Sequence, residues 1–464
     1  YKRRSVDNNI ANSSERLARL ASAPVGRLLW DYSLPAVVGM LVMSLYNVID
    51  RIFIGQGVGP EAIAGLAITF PLMNLATAVG VLVGVGSSAR ISIVLGAGDR
   101  EQANLILGNA LTLTFVNAAV YIALFAIFLE PVLRAFGASD ATLPYARDFI
   151  LYLLPGLLMT NLAYGLNNIM RASGYPSRAM FTMLIGALTN LLLAPLFIFV
   201  FGMGIKGAAI ATDIAMGVSA VFVMAHFFRR DSLVRFTPRT YALKWPVVLS
   251  IISIGAAPAL VNAAACFINV IINTTLYRYG GDNAVGAAGI FTTYASLLTT
   301  IVLGICQGMQ PIVGYNYGAG SVGRLRRVYL IAVGVSTLIT AIGSLVGTCF
   351  PESVAAMFTT DTLLQQNTVR ALSLSMMAFS VVGFQIITTA FFQSIGKASQ
   401  SIFLSLTRQV LFLIPLLLVM PDRFGLDGVW LAFPSSDIIA TAVALLMVVL
   451  QFKIIERSFK KKSC

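Results

Sequence analysis

Apolar residues run along this chain in blocks of about 20 or more, long enough for a helix to cross a bilayer core of about 30 Å. Twelve such blocks predict twelve spanning helices. They lie near residues 28–54, 61–85, 103–129, 143–168, 178–201, 206–228, 246–278, 284–307, 324–349, 366–392, 400–420 and 427–453. Turn-forming residues separate them, among them Gly55–Gly59, Gly96-Ala97-Gly98, Gly174-Tyr175-Pro176, Gly280-Gly281-Asp282 and Gly318-Ala319-Gly320. The longest polar connection, Arg229 through Lys244, falls midway and leaves six blocks on each side.

The two halves repeat. Gly86, Gly96-Ala97-Gly98 and Arg171-Ala172-Ser173-Gly174 have counterparts 222 residues later in Gly308, Gly318-Ala319-Gly320 and Gln393-Ser394-Ile395-Gly396. Each half holds an even number of spans, so both have the same orientation and an axis along the membrane normal relates them. The expected fold class is an all-α integral membrane protein, with twelve transmembrane helices in two pseudo-symmetric six-helix lobes. The expected boundaries are a tail over 1–27, a first lobe over 28–228, a linker over 229–245, a second lobe over 246–453 and a basic tail over 454–464.

Composition agrees: 58% of residues are hydrophobic and 11% are charged, against about a quarter charged in soluble domains. The net charge of +13 would suit nucleic acid, but its distribution gives another reading. Of the 32 Lys and Arg, 24 fall in the N-terminal stretch, alternate loops and the C-terminal tail, and seven on the opposite side. Such asymmetry places both termini in the cytoplasm and offers contacts to lipid headgroups. Nucleic acid is excluded as a partner. Residues 1–24 are polar and Arg-containing and lack a cleavable signal pattern. Cys266, Cys306, Cys349 and Cys464 have neither metal nor redox spacing. His226 is the lone histidine and is read as an interface anchor. The glycine pairs lack the βαβ context of a nucleotide loop. No metal site, organic cofactor or enzymatic nucleophile–base pair is expected.

Several stretches together resemble the multidrug and toxic compound extrusion family, MATE. They are Leu34-Pro35 with Tyr46-Asn47-x-x-Asp50, Arg171-Ala172-x-Gly174, Gly207-Ala208-Ala209-Ile210-Ala211-Thr212 and Gln310-Pro311-Ile312-Val313-Gly314-Tyr315-Asn316-Tyr317-Gly318-Ala319. Arg408-Gln409-Val410-Leu411-Phe412-Leu413-Ile414-Pro415 resembles the bacterial MepA-like and DinF-like branch. The resemblance spans about Leu28 to Lys453. It implies export of amphipathic organic cations, drugs or toxic metabolites by alternating access, in exchange for H⁺ or Na⁺. It also implies a monomer in the bacterial inner membrane.

Asp50, Asp213 and Asp437 lie inside expected spans, where an acid is costly and faces a cavity or a partner. In the resembled branch a first-span aspartate takes the coupling cation, with an Asn and an Asp of the fifth span and a Thr of the sixth. Asp50, Asn190 and Thr212 match three of these. The fifth-span acid falls on Ala194, so a site of several oxygens for Na⁺ is weakened, and H⁺ becomes the favoured ion at Asp50. Asp213 stands beside Thr212 as a replacement, although adjacent helical residues point about 100° apart. Asp437 and Arg408 are expected as a polar pair of the second lobe or as substrate contacts. Asn47 and Gln307 are candidates for the substrate path, with Asn74, Asn167, Gln310, Tyr315, Gln385, Gln393 and Gln409 behind them. Arg171 and Gln393 are read as loop-structuring residues. The rival reading is a related flippase of lipid-linked sugars. Twelve spans and few intramembrane cations favour the exporter.

Overall fold

The computed structural model describes residues 15, 17–58, 60–135, 138–229 and 231–463. Residues 1–14 and Arg16 of the expected tail, Gly59, Arg230 and Cys464 lie outside the described residues, as do the side chains of Cys266 and Lys460–Lys462. Every regular element among the described residues is helical. The first half comprises α1 (Val25–Gly57), α2 (Pro60–Gly96), α3 (Arg100–Ala135), α4 (Leu143–Ala172), α5 (Pro176–Pro195) and α6 (Gly204–Phe228). The second comprises α7 (Trp245–Gly318), α8 (Val322–Cys349), the short α9 (Pro351–Phe358), α10 (Thr362–Ser375), α11 (Val382–Ser394), α12 (Ala398–Leu406), α13 (Ile414–Phe424) and α14 (Leu426–Ser463).

Among the described residues ten helices are long and apolar enough to cross a membrane, eleven with one bent pair counted as a span, and twelve when α7 is counted as two. α7 has 74 residues, which in a straight helix would measure about 110 Å. It is broken at Gly281 (φ 65°, ψ −161°), a conformation open to glycine and strained for any residue with a Cβ. Its two arms are the seventh and eighth spans. The tenth span is not one helix: α10 and the helical run Phe379–Ser394 meet at 56°. π-helical turns extend α5 over Leu196–Val200, after Pro195, and join α12 to α13 over Thr407–Leu413, before Pro415. A ring nitrogen cannot donate to the helical ladder, and a widened turn re-satisfies the neighbouring carbonyls.

The repeat recurs bond for bond. After α2, Gly98 (φ 83°) donates to Leu95 and Asp99 to Val94; 222 residues later Gly320 (φ 73°) donates to Tyr317 and Ser321 to Asn316. Gly174 and Gly396 end α4 and α11 in the same way, with φ of 92° and 74°. Left-handed glycines of this kind satisfy the last carbonyls of a helix and stop it sharply.

The loops richest in Lys and Arg gather at one end of the bundle, called here the basic end. There the halves meet along a seam between α2 and the second arm of α7. A Cβ on Gly96 would strike the carbonyl of Tyr315, and a Cβ on Gly318 would strike that of Ile93. Ile93 and Tyr315 are themselves 222 residues apart, so these two contacts are one contact made twice. On the seam's midline a Cβ on Gly314 would lie 2.6 Å from Cβ of Ser92, its own counterpart. The pseudo-two-fold axis therefore runs through the seam, and the missing side chains allow the backbones to close.

α1 crosses between the halves. Val25, Leu28, Leu29 and Tyr32 are buried with Val302, Ile305 and Met309 of α7. About three turns beyond Tyr32, Met43 is buried with Ala187 of α5 and Met216 of α6. Pro35 lies between these regions, inside the helix. The linker is pinned to the first half: buried Asn109 of α3 donates to the carbonyls of Thr240 and Ala242 and accepts from the amide of Lys244. His226 corrects the reading as an interface anchor. It is 4% exposed, with Nδ1 3.0 Å from Arg178 Nη1 and Nε2 3.3 Å from Ser232 Oγ. It fastens the start of the linker to α5. Cys306 is buried and Cys349 exposed.

Candidate functional site

The register of α1 against α5 fixes what Asp50 faces. Residues 43, 50 and 57 are seven apart, two turns less about 20°, and so share one helix face. Met43 meets Ala187, and a Cβ on Gly57 would strike the side chains of Ile198 and Phe199. Phe53 and Phe199 add an edge-to-face ring contact at 6.2 Å. Asp50 therefore faces α5 between residues 187 and 198. The α5 face that carries Ala187 and Ile198 also carries Ala194, which is fully buried. The position without its expected carboxylate is thus the one opposite Asp50. Oδ1 of Asp50 is buried and has no hydrogen-bond partner among the described residues.

Asn190 lies one turn before Ala194 and is rotated toward α6. Its Nδ2 donates to Thr212 Oγ1 at 3.0 Å, and Thr212 donates to the carbonyl of Ala208 at 3.0 Å. The expected pair is thus joined directly. Asp213, one residue on, faces α4 instead: a Cβ on Gly156 would overlap its carboxylate. The angular offset between adjacent helical positions separates Thr212 and Asp213 onto two interfaces, and room for the acid comes from a glycine.

In the second half Arg408 Nε donates to Asp437 Oδ1 at 2.6 Å. The Asp437 side chain is 4% exposed and that of Arg408 23%. Arg408 belongs to the π-turn, which re-aims its side chain relative to an α-helical path. The other amides divide. Asn47 is exposed. Asn167 Nδ2 donates to the carbonyl of Ala179 at 2.6 Å and Gln385 Nε2 to that of Leu404 at 3.3 Å, so both serve packing within one half.

Gln393 lies in α11 rather than in a loop, and its counterpart Arg171 departs further from the loop-structuring role expected of it. It belongs to the last turn of α4 rather than to a loop and is 3% exposed. Nη2 donates to Asn167 Oδ1 at 2.9 Å, and Nη1 to Asn168 Oδ1 at 3.4 Å. Nη1 also donates to Oε1 of Gln307, on the second arm of α7. Gln307 in turn contacts Met40 Sδ of α1 through Nε2 at 3.3 Å. The guanidinium thus joins the halves near the basic end. Its pattern, Arg-x-x-Gly at a helix end, marked it in the sequence; its burial did not show there.

A family model described as MatE matches residues 35–196 and 257–419. The chain is 28% identical over 429 residues to a FAD transporter of Shewanella oneidensis, covering 90% of this chain and 93% of that protein. It is 24% identical over 444 residues to the multidrug export protein MepA of Staphylococcus aureus, covering 94% and 96%. Among solved structures it is similar to the outward-facing conformation of a multidrug resistance MATE family transporter of the MOP superfamily. That match has a TM-score of 0.89 and 25% identity over 95% of this chain and 98% of the other.

Proposed function

The chain belongs to the MatE family, and from that premise we propose an exporter that couples at Asp50. It is a multi-pass membrane antiporter that moves amphipathic organic compounds outward by alternating access, driven by an ion gradient. The flippase reading is set aside with the family match. The charge asymmetry of the loops and the family likeness support the finer assignments. The basic end lies in the cytoplasm of a bacterial inner membrane, both termini are cytoplasmic, and the chain acts as a monomer without catalytic chemistry or an organic cofactor. With the halves in contact at the basic end, this conformation is closed on the cytoplasmic side.

The observation that carries the coupling assignment is the buried, unpartnered carboxylate oxygen of Asp50. An ionised carboxylate removed from water without a partner costs several kcal/mol, and taking up H⁺ or Na⁺ relieves that cost. Asn190 and Thr212 lie on the neighbouring face as neutral oxygen and amide groups. With Ala194 in place of a second acid, one carboxylate serves one proton better than it serves a sodium ion, which prefers several oxygens. Asp213, held against Gly156, is a separate acidic group of the same half. Asp437 with Arg408 holds the second half together, and Asn47 and Gln307 border the substrate path. The names of the relatives support both a drug and a FAD-like cargo.

The test is efflux from proteoliposomes by the unaltered chain and by Asp50→Asn, under H⁺ and Na⁺ gradients imposed separately. Asn keeps the size and removes the charge. Uphill efflux of ethidium driven by ΔpH, and lost in Asp50→Asn, supports the reading. Undiminished uphill efflux by the variant ends it.

A further inference from the structure

Arg171 is a buried cation whose partners are all neutral. Its hydrogen bonds go to the carboxamide oxygens of Asn167, Asn168 and Gln307, and its Nε has no partner. Among the described residues it makes no ion pair. An uncompensated charge in such a place is costly, and an ionisable group inside a membrane protein is most often functional. One of its three partners, Gln307, comes from the other half. On the reading above, opening at the basic end separates α2 from the second arm of α7, and Gln307 is withdrawn from Arg171. The guanidinium is then left with two carboxamides of its own helix and faces the opening cleft.

Beside α1 and the α4–α5 turn, close to the helix end that carries Arg171, the surface is already hollow. At the basic end a cavity of about 470 Å³ is lined by Arg19, Arg27, Trp30, Asp31, Gly174 and Pro176 among others. Gly174 is three residues beyond Arg171. Arg19 is paired with Asp31 at 3.2 Å, while Arg27 has no hydrogen bond or ion pair among the described residues. A ligand approaching from this end meets a free guanidinium at the mouth and a second one within, once the halves part.

We propose that Arg171 is the docking point for an oxyanion, a phosphate or carboxylate, of a compound entering from the basic end, and that Gln307 takes its place when that end closes. The planar fork of arginine matches either group with two parallel bonds, and an oxyanion adds to those bonds the attraction between opposite charges, which a neutral amide lacks. The amide oxygen of Gln307 therefore competes only after the anion has left or moved on. Docking and closure exclude one another at a single side chain, which gives the loaded and closed states different free energies. This inference rests on the exporter reading and names a substrate chemistry for it.

Riboflavin 5′-phosphate and riboflavin share a ring and differ in the phosphate. Binding of both to the purified full chain, followed by flavin fluorescence, is expected to favour the phosphate by at least about tenfold, and Arg171→Gln is expected to abolish that preference. Gln307→Ala removes the competitor and is expected to tighten binding of the phosphate compound about threefold or more, whereas loss of a purely structural bond would weaken it or leave it unchanged. Titration with phosphatidylglycerol micelles separates the sources of the oxyanion: displacement of the flavin phosphate from the unaltered chain, absent in Arg171→Gln, shows that a lipid headgroup takes the same seat. Equal affinity for the two flavins in the unaltered chain, or a preference that survives Arg171→Gln, overturns the proposal. Ethidium efflux by the unaltered chain reports on the exporter reading by itself.

Discussion

Gln310 Nε2 donates to Ser88 Oγ at 3.0 Å, and the two residues are each other's counterparts, 222 positions apart. A hydrogen bond between equivalent positions lies on the axis that relates them. With Ser92 and Gly314 one turn further on, it marks the line along which the halves close. The contacts on either side, Gly96 on Tyr315 and Gly318 on Ile93, form a symmetric pair around it.

Filling the seam should therefore hold the basic end apart. Gly96→Val and Gly318→Val each place a branched side chain where a backbone carbonyl now lies. Each is expected to lower efflux by at least about tenfold, a cost of about 1.4 kcal/mol to the closed state. Distances between spin labels on the basic-end loops of α2 and α7 should lengthen in both variants. Unchanged distances would show that the seam yields without opening.

Ala194 lies on the α5 face opposite Asp50. Ala194→Asp would put a second carboxylate there, which favours a metal cation over a single proton because more charged oxygens can surround it. Efflux by this variant is expected to gain dependence on a Na⁺ gradient that the unaltered chain lacks. Proteoliposome efflux with and without Na⁺ at fixed pH decides the matter, and equal Na⁺ response in both chains would count against the facing geometry.

Removing one member of the Arg408–Asp437 pair leaves a buried charge alone. Such a change typically costs about 3–5 kcal/mol, while replacing both members with apolar residues is often neutral. Arg408→Met, which strands the 4% exposed carboxylate of Asp437, should thus lower the unfolding midpoint in detergent markedly, and the double variant Arg408→Met with Asp437→Leu should recover most of the loss. Lack of recovery would assign the pair a role beyond holding the second half together.

Asp231 gives the linker a pH dependence. Partial burial alone would raise its carboxyl, but Arg229 at 3.2 Å and Arg178 at 3.6 Å outweigh that and hold it below the ordinary value. A carboxyl with a lowered folded value stabilises above its unfolded value of about 3.9, and this contribution is lost as pH falls through the folded value. These ion pairs are partly exposed, so the effect is expected to stay under about 1 kcal/mol. Asp231→Asn should flatten the unfolding midpoint against pH between about 4 and 2, with little change near neutrality.

The spans and the repeat were legible because both are local: apolar runs show in any window, and paired glycines keep their offset. Boundaries were less so. Arg171 reads as a loop residue because it follows polar Asn167 and Asn168, yet these carboxamides are its ligands, and its third partner lies 136 positions away. Ala194 was legible as a missing acid; that it lies opposite Asp50 needed the α1–α5 register. The bend between α10 and α11 is not legible because no proline or glycine marks Met376-Met377-Ala378. The separation of Thr212 from Asp213 was legible in helical geometry alone. Gly156, which makes room for Asp213, was not, because it lies on another helix.

α1 begins inside one core and ends inside the other. The first half-chain therefore lends Leu28, Leu29 and Tyr32 to a hydrophobic wall that the second half cannot complete from its own residues. Cleaved in the linker, the second fragment would expose Val302, Ile305 and Met309 until its mate supplied the absent helix. The first fragment in turn would carry the apolar start of that helix uncovered, so a single rod gripped at both ends ties the two halves together.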